Sequence, residues 1–225
     1  MAEDGRPDDV LLDFTRPARI GLEEAVLAEG KSAAQLAAIL DRAAAEHTSL
    51  LLTRFTDEAL AGLPEHHQRR LDYDPVSRTG FFARAAPDQP PVRVGIVSAG
   101  TSDVGVAEEA RRTLLYAGIG ALAAYDVGVA GLWRLLRRVE ELRRLPVVIA
   151  VAGMDAALPS VLGGLVPGLV IAVPTSTGYG VARDGETALR AALASCAPGL
   201  VVTNVDNGYG AATAALRVLN AKVPD

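Results

Sequence analysis

The sequence predicts a doubly wound α/β domain with a small N-terminal α/β extension, and three observations carry that expectation. Beyond Pro91, five apolar runs of strand length recur, at residues 92–98, 120–126, 146–151, 168–173 and 200–204. The runs are continuous rather than alternating, which is the pattern of parallel strands covered on both faces. Between them lie amphipathic segments: Leu132, Leu135, Leu136, Val139 and Leu142 share one helical face, with Arg134, Arg137, Arg138, Glu140 and Glu141 on the other. Five such strand–helix units make a parallel five-stranded sheet in a three-layer sandwich, flavodoxin-like or Rossmann-like.

Residues 1–90 read differently. Ser32-Ala-Ala-Gln35 has capping-box spacing, and Leu36, Ile39, Leu40 and Ala43 follow at helical period. Leu50-Leu-Leu-Thr53 fits a short strand and Thr56 a helix cap. Residues 65–91 are polar and proline-containing, with 71–80 reading as irregular. The expectation is a small, mostly helical N-terminal region, a boundary near residue 90, and a catalytic domain over 91–225.

Of the 225 residues, 27 are acidic and 22 basic, giving a net charge of −5; 50% are hydrophobic but only 4% aromatic. The core is therefore built from Ala, Val, Leu and Ile, and the chain is long enough to bury one. The single cysteine excludes an intramolecular disulfide framework, and the acidic balance without a basic run argues against nucleic acid. The longest apolar stretches are cut by Asp126, Asp155 or Pro174, so no membrane-spanning helix is expected. The acidic, polar N-terminus is unlike a signal peptide, which makes the cytoplasm the expected location. His47, His66 and His67 all precede residue 90, leaving the catalytic domain without a Ser-His-Asp triad or a histidine metal cluster.

Doubly wound sheets bind ligands at the carboxyl ends of their strands. Five loops there carry chemistry. Ser98-Ala-Gly-Thr-Ser-Asp103 offers a turn at Gly100, the hydroxyls of Thr101 and Ser102, and helix-start amides suited to a phosphate; Ser102 or Asp103 serves equally well as an N-cap. Asp126-Val-Gly-Val-Ala-Gly131 places Asp126 and Gly128 at a strand end. In Ala152-Gly-Met-Asp155, Gly153 and Met154 let a ligand approach the backbone, and Asp155 is either a general base or an ordinary first-turn acid. Pro174-Thr-Ser-Thr-Gly-Tyr-Gly180 combines Thr175, Ser176 and a ring, Tyr179, able to stack on a flat ligand. Asp206-Asn-Gly-Tyr-Gly210 contributes Asn207 in a turn. Cys196 lies on an αβ connection before the last strand, where a lone thiol is ordinarily a small buried hydrophobe.

Taken together, residues 98–103, 126–131, 153–159, 174–180, 195–199 and 204–210 resemble the LarB family, the pyridinium-3,5-biscarboxylic acid mononucleotide synthases of nickel-pincer cofactor biosynthesis. The likeness extends into the N-terminal part through Gly30-Lys-Ser32 and Arg78-Thr-Gly80. Residues 91–225 also resemble, more distantly, the carboxyaminoimidazole ribonucleotide mutases. The first resemblance implies carboxylation of the pyridinium ring of nicotinic acid adenine dinucleotide with CO2 or bicarbonate, and phosphoanhydride hydrolysis releasing AMP and the biscarboxylated mononucleotide. It implies Cys196, within Ser195-Cys-Ala-Pro-Gly199, as covalent nucleophile and Asp155 as the catalytic acid–base group. Gly100, Thr101, Ser102, Asp103, Asp126, Gly128, Gly153, Met154, Thr175, Ser176, Tyr179 and Asn207 then bind the dinucleotide, with Mg²⁺ implied at a site the sequence leaves unknown.

Two positions depart from the family. Asp155 stands where Glu is usual, one methylene shorter, and Trp133 stands where relatives commonly carry His. The competing readings are a purine-type carboxyaminoimidazole ribonucleotide mutase, whose chemistry needs a His absent from this domain, and a nucleotide-binding protein of this fold without catalysis. Because Cys196 precedes its strand while the loops follow theirs, a site using both is expected to be completed by a neighbouring chain. The related mutases are octamers, so the resemblance implies a homo-octamer, with the Ala- and Gly-rich helices after Ala107 and Gly210 as packing surfaces.

Overall fold

The structure, a computed structural model, describes residues 11–221. The chain forms two compact units that divide between Pro87 and Asp88.

The first unit contains α1 (Arg16–Ile20), β1 (Ala25–Leu27), α2 (Ala33–Ala45), β2 (Leu50–Thr53), α3 (Asp57–Ala61), α4 (Glu65–Gln68), β3 (Leu71–Asp74) and β4 (Thr79–Phe82). The capping box at Ser32 forms as expected: its side chain accepts from the Gln35 amide, and Gln35 Oε1 accepts from the Ser32 amide. Thr56 likewise caps α3. The four strands form a mixed sheet in the order β1-β2-β4-β3. Residues 71–80, expected to be irregular within a mostly helical region, instead belong to an antiparallel hairpin over 71–82, with Leu71 opposite Phe82 and Asp74 opposite Thr79. Its turn is closed by Asp74, whose Oδ1 accepts from the Ser77 amide at 2.7 Å and the Ser77 hydroxyl at 2.6 Å, with Arg78 in the left-handed region. Interleaved polar residues and the proline mask the strand pattern there. Leu36, Leu40, Phe55 and Phe82 form the core of this unit.

The second unit contains β5 (Val92–Ser98), α5 (Val104–Tyr116), β6 (Gly120–Ala124), α6 (Leu132–Leu136), α7 (Val139–Leu142), β7 (Val147–Ala152), α8 (Ala157–Gly163), β8 (Leu169–Pro174), α9 (Glu186–Leu193), β9 (Val201–Val202) and α10 (Gly208–Leu219). All neighbouring strands are parallel, in the order β6-β5-β7-β8-β9, which in chain order within the unit is 2-1-3-4-5, the flavodoxin-like arrangement. One face of the sheet packs Val97, Val148, Ala150 and Val170 against Leu135, Leu142, Leu158, Leu162 and Ala188 from α6 to α9. On the other, α5 and α10 lie against each other and the sheet.

Two expectations need correction. The stretch 132–142 is not one amphipathic helix: it breaks into α6 and α7 around Arg137 and Arg138, and Leu132 and Leu136 are exposed while Leu135 and Leu142 are buried. The small-residue faces of α5 and α10 are also not free for another subunit. Ala107, Ala110, Ala211, Ala212 and Ala215 are fully buried within the chain, and a Cβ at Gly208 would meet the Val106 carbonyl oxygen at 2.3 Å.

Candidate functional site

The carboxyl edge of the parallel sheet gathers the five predicted loops, and backbone and side-chain hydrogen bonds stitch them together. The Val127 and Gly128 amides after β6 donate to the Ser98 and Ala99 carbonyls after β5, at 3.0 and 2.8 Å. The Met154 amide after β7 donates to the Thr177 carbonyl after β8, at 2.8 Å. The Ser176 amide donates to Asp206 Oδ1 after β9, at 2.9 Å. Asp103 spans the widest gap: its Oδ2 accepts from the Gly100 amide at 2.8 Å, and its Oδ1 accepts from the Thr175 hydroxyl at 2.6 Å, reaching from β5 past β7 to β8. The strand order reverses between β5 and β7, so the crevice between the loops at Gly100 and Gly153 is the topological switch point where such sheets bind ligands.

The predicted contact residues divide into two groups. Thr101, Ser102, Asp126, Met154, Asp155, Ser176 and Tyr179 are exposed on this edge, Tyr179 to 78%. Asp103, Gly128, Gly153 and Thr175 are buried. Asp103 is 3% exposed with both carboxylate oxygens occupied, and it does not cap α5 through its side chain. Its carboxylate and the Thr175 hydroxyl tie the two loops together. Asn207 Oδ1 accepts from the Gly210 amide at 2.7 Å, so its oxygen is the N-cap of α10.

Close approach and backbone strain concentrate here. A Cβ at Gly153 would lie 2.2 Å from the Thr177 carbonyl oxygen and one at Gly128 2.7 Å from the Ala99 carbonyl oxygen, so both positions require glycine. Asp126, Met154, Ala156 and Asp206 all adopt left-handed backbone angles, with φ of 55°, 56°, 47° and 53°. Non-glycine residues enter that region at a cost of order 1–3 kcal/mol each and persist where the surroundings hold them, as the inter-loop bonds do here.

Trp133, 57% exposed on α6, is covered by the Arg137 guanidinium, 4.5 Å from the ring centroid. The exposed indole thus carries a cation on one face. Asp126 forms an ion pair with Arg134 of the same helix.

Cys196 is exposed, not a buried hydrophobe. Its loop lies along α8: Ser195 Oγ is 2.7 Å from Ser160 Oγ, and a Cβ at Gly163 would meet the Ala197 Cβ at 2.7 Å. Asp155 precedes α8 at its amino end, where its Oδ1 accepts weakly from the Ala157 amide. Cys196 thus lies on the connection from α9 to β9, whereas the edge loops follow their strands.

Asp103, Asp126 and Asp206 of the edge are engaged within the chain. Asp103 is consumed by its two donors, Asp126 by Arg134, and one oxygen of Asp206 by the Ser176 amide. Among the described residues they do not converge as a ligand set.

A flavodoxin-like parallel sheet whose five carboxyl-end loops form one bonded edge defines the class: a doubly wound α/β domain, a fold that binds ligands at the carboxyl ends of its strands. Residues 93–225 match the family model described as AIR carboxylase, and the chain belongs to that family of carboxylase- and mutase-type enzymes. Residues 8–84 match the model of a LarB/PurE-like N-terminal domain. An uncharacterized protein of Methanocaldococcus jannaschii is 50% identical over 121 residues, covering 53% of this chain and 46% of its own. This chain thus spans about half the length of that relative. The N5-carboxyaminoimidazole ribonucleotide mutase of the same organism is 35% identical over 132 residues, covering 56% of this chain and 78% of that protein. A crystal structure of a Treponema denticola PurE2 variant aligns with a TM-score of 0.48 and 23% identity over 58% of this chain and 80% of that one. Among the described residues, no helix is long and apolar enough to cross a membrane.

Proposed function

We propose that this protein carboxylates the pyridinium ring of nicotinic acid adenine dinucleotide and hydrolyses its phosphoanhydride, yielding AMP and pyridinium-3,5-biscarboxylic acid mononucleotide, as a cytoplasmic homo-octamer. The observation that carries this reading is Cys196: the sole thiol of the chain is exposed, on a loop that has no need of it for packing. A thiolate is both a strong nucleophile and a good leaving group, and this reaction needs both.

The pyridinium carbon is electron-poor and does not attack CO2. Addition of the Cys196 thiolate beside it forms a C–S bond and turns the ring into an enamine. The enamine carbon attacks CO2, forming the new C–C bond. Removal of the ring proton from that carbon, assigned to Asp155, returns its electron pair to the ring, and the C–S pair leaves with the thiolate. Aromaticity is restored with no net oxidation. Separately, water adds across the phosphoanhydride to release AMP.

The loop edge supports the binding half of this reading. The exposed hydroxyls of Thr101 and Ser102 and the amides at the start of α5 suit a phosphate, Tyr179 offers a flat face to a ring, and Met154 and Ser176 border the crevice. With a net charge of −5, attraction for an anionic substrate has to come from such local dipoles. Mg²⁺ belongs to the same reading as an ion carried on the substrate's diphosphate, and no step is assigned to it.

Incubation with nicotinic acid adenine dinucleotide, bicarbonate and Mg²⁺, followed by mass spectrometry, tests the reading. The expected products are AMP and a carboxylated mononucleotide. Cys196→Ser is expected to form neither carboxylated product nor enamine while still binding the dinucleotide. Turnover of carboxyaminoimidazole ribonucleotide without reaction of the dinucleotide would replace this reading with the mutase one, and full carboxylation by Cys196→Ser would remove the covalent mechanism.

A further inference from the structure

The histidines that sequence reasoning set aside meet a carboxylate in the N-terminal unit. His66 and His67 are consecutive on the single turn α4, yet their rings sit side by side, with centroids 4.0 Å apart. Both turn toward Asp41 on α2: His67 Nε2 is 2.9 Å and His66 Nε2 3.8 Å from Asp41 Oδ1. One ligand atom from each residue lies within 4.8 Å of the other two. Four ligands placed about 2.0–2.1 Å from a zinc ion in a tetrahedron are roughly 3.3 Å from one another, and the two measured separations bracket that value.

An independent observation is the state of His67. Its side chain is 1% exposed, and neither ring nitrogen has a hydrogen-bond partner, because Nε2 is near Asp41 without the alignment a hydrogen bond requires. A buried imidazole left in that condition costs free energy, and an ion beside Nε2 would satisfy it. Burial lowers its pKa, against the upward pull of Asp41. Phe82 packs edge-on against the same ring, 5.8 Å between centroids, and fixes its orientation. Asp41 and His66 side chains are each 66% exposed, which leaves the cluster open to an ion from solvent.

We propose that Asp41, His66 and His67 form a three-ligand site for a divalent transition-metal ion of the zinc class, with a fourth position open to water, clamping α4 onto α2. Two imidazoles and one carboxylate suit zinc, cobalt or nickel and do not suit magnesium or calcium, which prefer oxygen.

The test is titration of the chelator-treated full chain with Zn²⁺ by calorimetry, and with Co²⁺ by visible absorption, in a Cys196→Ser background that removes the only thiol. The expected result is one ion per chain, tetrahedral Co²⁺ bands without thiolate charge transfer, and a rise in melting temperature with Zn²⁺. His66→Ala and Asp41→Asn, both at exposed side chains, are expected to weaken Zn²⁺ binding by at least about tenfold. Absence of binding, or binding that both substitutions leave unchanged, would overturn the proposal. So would binding seen with Cys196 present and lost in the Cys196→Ser background.

Discussion

Asp103 shows how a residue can matter to a site by tying its loops together. Its buried carboxylate satisfies one backbone and one hydroxyl donor on two loops that are far apart in sequence. Asp103→Ala leaves the Gly100 amide and the Thr175 hydroxyl without their acceptor, at about 1–3 kcal/mol for each buried donor. The expected loss of unfolding free energy, about 2–6 kcal/mol in a urea melt, exceeds that of Asp103→Asn, which keeps one acceptor oxygen. Gly153 is constrained by space. A methyl group there overlaps the Thr177 carbonyl, which itself holds the Met154 amide, so Gly153→Ala is expected to displace the loop and abolish dinucleotide binding in a calorimetric titration. Gly164→Ala provides the contrast: its Cβ meets nothing closer than 3.6 Å and its φ is negative, so stability should change by no more than about 1 kcal/mol and binding not at all.

At the level of elements, α10 illustrates what a sequence conceals. Asn207-Gly208 reads as a turn and Asn207 as a ligand contact, yet its side chain caps the helix, and Glu109 Oε2 accepts from the Tyr209 amide of the same turn at 3.2 Å. Asn207→Ala is accordingly expected to cost about 1 kcal/mol of stability, measured by denaturant titration, with an unchanged KM for the dinucleotide. A raised KM with intact stability would return the residue to the ligand. The strands of the second unit were legible because burial on both faces writes an uninterrupted apolar run: β5 spans residues 92–98 as the run predicts, and β7 and β8 are each displaced by one residue. β9 keeps only Val201 and Val202, since a sheet-edge strand needs fewer pairings. Glycines and hydroxyls marked the loops. Their partners were not legible, because a bond such as Asp103–Thr175 links positions with no shared period. The hairpin at 71–82 and the break between α6 and α7 escaped for a related reason: each depends on local closure, by Asp74 in one and by Arg137 and Arg138 in the other, which apolar periodicity does not record. The Asp41–His66–His67 cluster did leave a signal, the adjacent histidine pair, but not the carboxylate from another helix.

For the whole molecule, the position of Cys196 decides how the proposed reaction can be assembled. Attack geometry requires reacting atoms about 3–3.5 Å apart, whereas Cys196 precedes β9 and Asp155 follows β7 at the carboxyl edge. The proposed octamer meets this requirement if a site takes Asp155 and the loop edge from one chain and Cys196 from a neighbour. The faces of α5 and α10 cannot mediate that contact, being packed on each other. The exposed apolar side chains are elsewhere: Leu132, Trp133 and Leu136 on α6, Tyr179 and Val181 after β8, and Leu193 at the end of α9 just before Cys196. Their position beside the loop edge on one side and the thiol on the other is what a shared site between neighbouring copies demands. Cys196→Ser and Asp155→Ala chains, each inactive alone, are expected to regain activity when dissociated together and reassembled. Random mixing places a wild-type thiol and a wild-type carboxylate in about a quarter of shared sites, so recovery should approach about a quarter of wild-type specific activity. If both groups served from the same chain, no mixture could exceed background, and a fully active monomer in an ultracentrifuge would lead to the same conclusion.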